Sequence, residues 1–276
     1  MIDKKNSSTI IKDIIGETSL LALYMRSLES KKKKGIIKDS MAIQLVDKID
    51  YDFEKWKKYK VMLTSIALRT NYFDNQLISF IQRRKKPVIV IIGCGLDSRY
   101  NRIKESVGDA KFYQLDIPEV IDIRKQYIPV QKNEKYISAS MLEDEWIKKI
   151  KEENPNGEFL FIIEGVLVYF TEKDVKSTFR KLANNFSNSE ILFDMISTKM
   201  SKAKDTPDSV KLVGARFRFG TDNDKEMETW ANNLQHKSTK RFADFSTWKR
   251  GIISWELMIL IPSIRKGARL LHYKIS

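Results

Sequence analysis

The sequence predicts an α/β fold built on a doubly wound, mostly parallel sheet, and three observations carry that expectation. The apolar run VIVII at 88–92 ends in the closely spaced glycines of GCG. About 20 residues further on, the next β-rich run, FYQLD, closes on Asp116. From 87 to about 198, short β-rich runs alternate with amphipathic segments, the pattern of a parallel sheet with helices on both faces. An apolar strand, a glycine turn and an acid at the end of the following strand are how such sheets hold a nucleoside, so the pattern suggests an enzyme that grips a cofactor.

The elements follow in order. Residues 1–86 are expected to form an N-terminal helical cap, because LLALYMRSLE, SMAIQLVDKI and FEKWKKYKVMLTSIALRTNYFDNQLISFIQ place apolar residues at spacings of three and four. Residues 87–276 are expected to form the sheet domain, with strands at VIVII (88–92), KFYQLD (111–116), KYISAS (135–140), FLFIIEG (159–165) and EILFDMI (190–196). The stretch after 201 is less regular. It holds a polar loop, an RFRFG segment between Gly214 and Gly220, an expected helix around METWANNLQ, and a closing ARLLHYKI that alternates as an edge strand would. An insertion around 199–262 is expected to cover the substrate, with Phe217, Phe219, Trp230 and Trp255 as either lining or core residues.

Composition narrows the function classes. The chain has 276 residues, 42% hydrophobic and 31% charged, which suits a folded protein with a sizeable core and argues against a membrane protein. No run approaches the apolar length that spans a bilayer, and MIDKKNSSTIIKDIIGE lacks the apolar core of a secretory signal, so the expected location is cytoplasmic. A single cysteine, Cys94, excludes an internal disulfide framework, and with only His236 and His272 no metal centre is expected. The formal charge of +14 would attract polyanions. The lysines are mostly dispersed, however, and the dense run at 31–34, followed by Gly35, reads as a solvated loop.

The glycine loop itself selects among cofactors. A Walker loop needs Gly-Lys-Ser/Thr, whereas Gly95 is followed by Leu96, Asp97 and Ser98. A dinucleotide fingerprint needs a third glycine, which GCGLDS lacks. Asp97 would repel a pyrophosphate but would accept hydrogen bonds from an ammonium group. The favoured cofactor is S-adenosylmethionine, which carries no phosphate: Gly93 and Gly95 would let the backbone approach its methionine portion, and Asp116 would take the ribose hydroxyls.

The segments ALRTNYFDNQLISF, PVIVIIGCGLDSRYNRI, FYQLDIPEVIDIRKQYI and FIIEGVLVYFTEKDV together resemble the leucine carboxyl methyltransferase family. LALYMRSLES, followed by Asp39 and Ala42, and the DYDF at 50–53 are more similar to its bacterial small-molecule branch, which includes polyketide-pathway O-methyltransferases, than to its protein-phosphatase or tRNA-modifying branches. The likeness runs from about Thr18 to Met200 and more faintly to the end. It implies a Rossmann-like class I methyltransferase sheet with an N-terminal helical cap and a C-terminal insertion. It also implies that Arg69 holds the methionine carboxylate with Arg26 as a second cation nearby, that Gly93 and Gly95 form the cofactor loop, and that Asp116 binds ribose. Glu164, in the family's EGVLxY pattern with Tyr169, is implied to face the cofactor or the methyl-transfer zone.

One departure stands out. Where many relatives end the third strand in an Asp-Leu pair that reads adenine, this chain has Ser140 and Met141, with Glu143 and Asp144 just beyond. Adenine recognition is therefore expected from the Ser140 hydroxyl, from backbone groups, or from those neighbouring acids. No catalytic base is singled out. A carboxylate acceptor, already anionic, would need none, whereas a hydroxyl would turn attention to Glu164 or Tyr169. The leading expectation is an O-methyltransferase acting on a small molecule. The alternatives are a tRNA- or protein-modifying methyltransferase and a non-catalytic S-adenosylmethionine-binding protein.

Overall fold

The computed structural model describes residues 11–245 and 267–276. Its centre is a seven-stranded sheet of order β3-β2-β1-β4-β5-β7-β6. The strands are β1 (Pro87–Ile92), β2 (Lys111–Asp116), β3 (Glu134–Ser138), β4 (Glu158–Ile163), β5 (Ser189–Ile196), β6 (Leu234–Arg241) and β7 (Ala268–Ile275). The first five run parallel, and β7 lies antiparallel to both β5 and β6. Every residue of β1 is buried, as a central parallel strand covered on both faces requires. Val90 sits opposite Tyr113 of β2 on one side and Phe161 of β4 on the other. Because the chain leaves β1 in one direction and returns to its other flank, a crevice opens at the carboxyl ends of β1 and β4, where doubly wound sheets bind ligands.

Three long helical segments precede the sheet: α1 (Ile14–Ser30), α2 (Ser40–Lys48) and α3 (Lys60–Arg83). Asp13 caps α1 by accepting the Gly16 N–H at 2.6 Å, and Asp39 caps α2 by accepting the Ala42 N–H at 2.9 Å. α3 lies on a sheet face, packing Phe73, Leu77 and Phe80 against Ile89, Leu160 and Leu192, so the apolar core is continuous across residue 86. Between and after the strands come α4 (Arg99–Arg102), α5 (Pro118–Tyr127), α6 (Glu145–Glu153), α7 (Glu172–Asn185) and α8 (Asp208–Lys211). Pro118 opens α5, where a missing N–H costs nothing, and Thr171 with Asp174 forms a reciprocal capping box on α7.

The second half differs from expectation in two places. METWANNLQ is not a helix: a single 3-10 turn, Glu226–Thr229, leads into β6. ARLLHYKI is a strand but not the sheet's edge, since β7 pairs on both sides and β6 occupies the outer position. The polar LQHKSTKR carries no apolar alternation to announce a strand, and backbone pairing with β7 is what makes it one. Phe219 and Trp230 belong to the core, while Phe217 packs its ring 5.6 Å from that of Tyr169. Trp255 and the remainder of the expected insertion, 246–262, lie outside the described residues.

Candidate functional site

The site begins where β1 ends. Gly93 and Gly95 have φ of 68° and 50°, in the left-handed region that favours glycine. Space demands glycine as well: a Cβ at Gly93 would fall 2.3 Å from the Val166 side chain, and one at Gly95 would fall 2.7 Å from Cβ of Ser19 on α1. The loop therefore runs tightly beneath the N-terminal helix. The N–H groups of Gly93 and Cys94 bond the Leu115 carbonyl at 2.8 and 3.0 Å.

Asp116 faces this loop from the end of β2. Its carboxylate accepts the Gly95 N–H at 2.7 Å and the Ile117 N–H at 2.8 Å, so its orientation is set by backbone. Burial pushes its pKa up to about 6, against the pull of those two donors. Beneath the loop, Arg124 of α5 donates to the carbonyls of Gly95 and Asp97 at 3.1 and 2.7 Å and stacks on Tyr136. Cys94 is buried, and burial raises its thiol pKa, consistent with a packing role.

Beyond the loop lies a buried network of ion pairs. Arg69 on α3 donates from Nε to Glu164 at 3.0 Å and from Nη1 to Asp194 at 2.9 Å. Glu164 also accepts from Thr70 at 3.1 Å and from Arg99. Arg99 and Arg102 share Asp74 at 2.7 Å each, and both pair with Asp97, at 3.2 and 2.7 Å. Arg102 and Arg26 meet on Asp39, at 3.0 and 3.1 Å, and Arg26 also donates to the Leu96 carbonyl at 2.9 Å. Burial alone would raise the acids, but the facing guanidiniums win: Arg102 and Arg99 hold Asp97 far below the usual carboxylate range, Arg102 and Arg26 lower Asp39, and Arg99 and Arg69 lower Glu164. Asp97 thus lines the cavity with its charge already paired to two arginines.

A cavity of about 830 Å³ joins these parts. Arg26, Arg69, Gly93, Gly95, Asp116, Ser140, Met141 and Glu164 all line it. At the third-strand end, Glu143 accepts the Ser140 N–H at 3.0 Å, while Ser140 Oγ accepts the Leu142 N–H at 3.2 Å. Neither Glu143 nor Asp144 reaches the cavity wall. Away from the glycine loop the wall turns apolar, with Met62, Ile66, Tyr169, Ile196, Val210 and Phe217, and the exposed Lys199 and Asp205 stand at its mouth. Both histidines lie elsewhere, His236 beside Thr239 and His272 beside Glu190. Among the described residues no cluster of His, Cys, Asp and Glu is arranged to hold a metal ion, and no helix is long and apolar enough to cross a membrane.

Sequence reasoning missed Asp194, Arg124 and the Asp39–Asp74–Arg99–Arg102 group. For Asp194 a signal existed: an acid inside the apolar run EILFDMI must find a partner or pay heavily in desolvation. The other residues carry no spacing that predicts their meeting.

The fold is that of class I methyltransferases, and the chain is an S-adenosylmethionine-dependent methyltransferase. A family model described as leucine carboxyl methyltransferase matches residues 19–183, and the chain belongs to that family. It is 24% identical over 263 residues to the tetracenomycin polyketide synthesis O-methyltransferase TcmP of Streptomyces glaucescens, covering 94% of this chain and 96% of that one. It is 24% identical over 247 residues to the S-adenosyl-L-methionine-dependent methyltransferase dpfgK of Gibberella zeae, covering 80% of each. In fold it is similar to the crystal structure of a duf574 family protein from Streptomyces avermitilis, with a TM-score of 0.62 and 9% identity over 96% of this chain and 100% of the other.

Proposed function

We propose that this enzyme methylates an oxygen of a small-molecule acceptor, and that the oxygen belongs to a carboxylate. The observation that carries this reading is the state of Tyr169 and Glu164, the two candidate bases for a hydroxyl among the described residues that line the cavity. Tyr169 is pushed by burial to a pKa of about 12 and stays protonated, and Glu164 is neutralised by Arg99 and Arg69. Neither would take a proton from a hydroxyl at neutral pH, whereas a carboxylate has none to lose. The similarity to TcmP, a tetracenomycin polyketide synthesis O-methyltransferase, supports an oxygen acceptor on a small molecule.

The residues present suit the cofactor. Gly93 and Gly95 line the cavity on a backbone held tight against Val166 and Ser19, and Asp116 has lone pairs beyond those given to Gly95 and Ile117 for two ribose hydroxyls. Arg69 suits the methionine carboxylate. Arg26, already bound to Asp39 and Leu96, would act mainly as a strut beneath the loop. Ala139, Ser140 and Met141 would border adenine. S-adenosylmethionine, when bound, supplies a methyl group made electrophilic by its sulfonium. The protein's part is to align the acceptor with that carbon and exclude water, and alignment contributes on the order of 7–11 kcal/mol.

The test is transfer of labelled methyl from S-adenosylmethionine to a panel of carboxylic and phenolic acceptors. Base-labile methyl esters are expected. Base-stable ethers as the only products would overturn the carboxylate assignment.

A further inference from the structure

We propose that Asp194 is the positioning residue of the methionine subsite, fixing the Arg69 guanidinium in the plane that receives the cofactor's carboxylate. This rests on the assignment of Arg69 made above.

Asp194 lies near the carboxyl end of β5, 9% exposed, between strands that bury apolar side chains on both faces. Each of its oxygens has one partner. Oδ1 accepts the Gly165 N–H at 2.6 Å, and Oδ2 accepts Nη1 of Arg69 at 2.9 Å. Gly165 follows β4 with φ of 71°, and a Cβ there would lie 3.0 Å from Nη2 of Arg69. One carboxylate thus anchors both the turn after β4 and the guanidinium packed against that turn.

Glu164 cannot do this alone, because it divides its oxygens among Arg69, Thr70 and Arg99. Asp194 pairs with no other cation among the described residues. With Nε held by Glu164 and Nη1 by Asp194, the guanidinium is pinned at two corners. Its second Nη1 hydrogen and the Nη2 pair make no other hydrogen bond among the described residues, and Arg69 lines the cavity. Such an edge pairs with a carboxylate through two parallel hydrogen bonds, and it does so only if the plane is fixed beforehand.

The experiment is calorimetric titration of the wild-type protein and of Asp194→Asn, Asp194→Ala and Arg69→Ala with two probes. S-adenosylmethionine carries the amino-acid end, and 5′-methylthioadenosine lacks it. Asp194→Asn keeps one acceptor for the Gly165 N–H and turns an amide NH2 toward Arg69, so both the charge and the acceptor facing the guanidinium are lost. Both Asp194 variants are expected to weaken S-adenosylmethionine about tenfold or more, as loss of a charged hydrogen-bond partner does, while 5′-methylthioadenosine stays within about twofold of wild type. Equal weakening of both probes would reduce Asp194 to a structural ion pair and overturn the inference. So would unchanged S-adenosylmethionine affinity in the Asp194 variants when Arg69→Ala weakens it. If Arg69→Ala also leaves it unchanged, the assignment of Arg69 falls and the inference falls with it.

Discussion

Two ion clusters sit at opposite ends of the same central strands and are held in different ways. At the carboxyl ends, Arg69, Arg99 and Arg102 are enclosed with Asp74, Asp97, Glu164 and Asp194, and Arg99 is only 1% exposed. At the amino ends, Arg83 and Arg84 meet Glu158 and Glu190, His272 joins Glu190, and the Arg83 side chain is 50% exposed. Helix α3 reaches both. In the second cluster Glu190 is buried, but its Arg83 arm stands in water, which screens that pair and leaves it little net gain. The first is centred on the enclosed Arg99, so its three acids depend on one cation, and removing it leaves them uncompensated. Keeping so many charges buried at the end that lines the cavity makes sense if they hold binding groups in place.

Removing Arg99 should break this contrast most severely. Arg99→Met is expected to lower stability by about 3–5 kcal/mol in chemical denaturation, since Asp74, Asp97 and Glu164 all lose a cation. A loss under about 1 kcal/mol would show that the inner cluster is no more consequential than the outer one. Arg69→Ala and Asp116→Ala should each weaken S-adenosylmethionine by about 1–3 kcal/mol by calorimetry, and wild-type affinity in both would remove those assignments.

Acidity sharpens the comparison further. In the proposed ribose-binding role, Asp116, raised to about 6, must be ionised to accept both hydroxyls while keeping its backbone donors. Cofactor affinity should therefore fall by about tenfold between neutral pH and about pH 5, one unit below that pKa, and Asp116→Asn should flatten the profile. The effect on the fold has opposite signs at the two kinds of acid. A raised carboxyl such as Asp116 favours the ligand-free fold as pH falls through about 6. The lowered carboxyls Asp39, Asp97 and Glu164 stabilise it above their unfolded values and lose that contribution as pH falls below about 4, where thermal melting should drop. The smallest effect belongs to the outer cluster. Arg83→Ala should change stability by no more than about 1 kcal/mol and leave cofactor affinity intact.

Much of the cofactor end was legible because it depends on local rules. Consecutive β-branched and aromatic residues marked β1, β2, β4 and β5, and Gly93 and Gly95 marked a turn that needs positive φ. The expected site residues converge on one cavity because a parallel sheet delivers the ends of successive strands to one edge. The other half was less legible. β6 is polar along its length, so it lacked the alternation that announces a strand, and β7 looked like an edge until β6 covered it.

The sequence by itself determined the class of sheet, the glycine loop, the acid that faces it and the family likeness, because each follows from short-range spacing and backbone geometry. Only the tertiary structure decided that Asp97 belongs to Arg99 and Arg102, that Arg26 braces the loop through Asp39 and Leu96, and that Asp194 reaches Arg69 from another strand. Those pairings join residues far apart in the chain. Their partners are fixed by which charges are buried together, a quantity that no local pattern encodes.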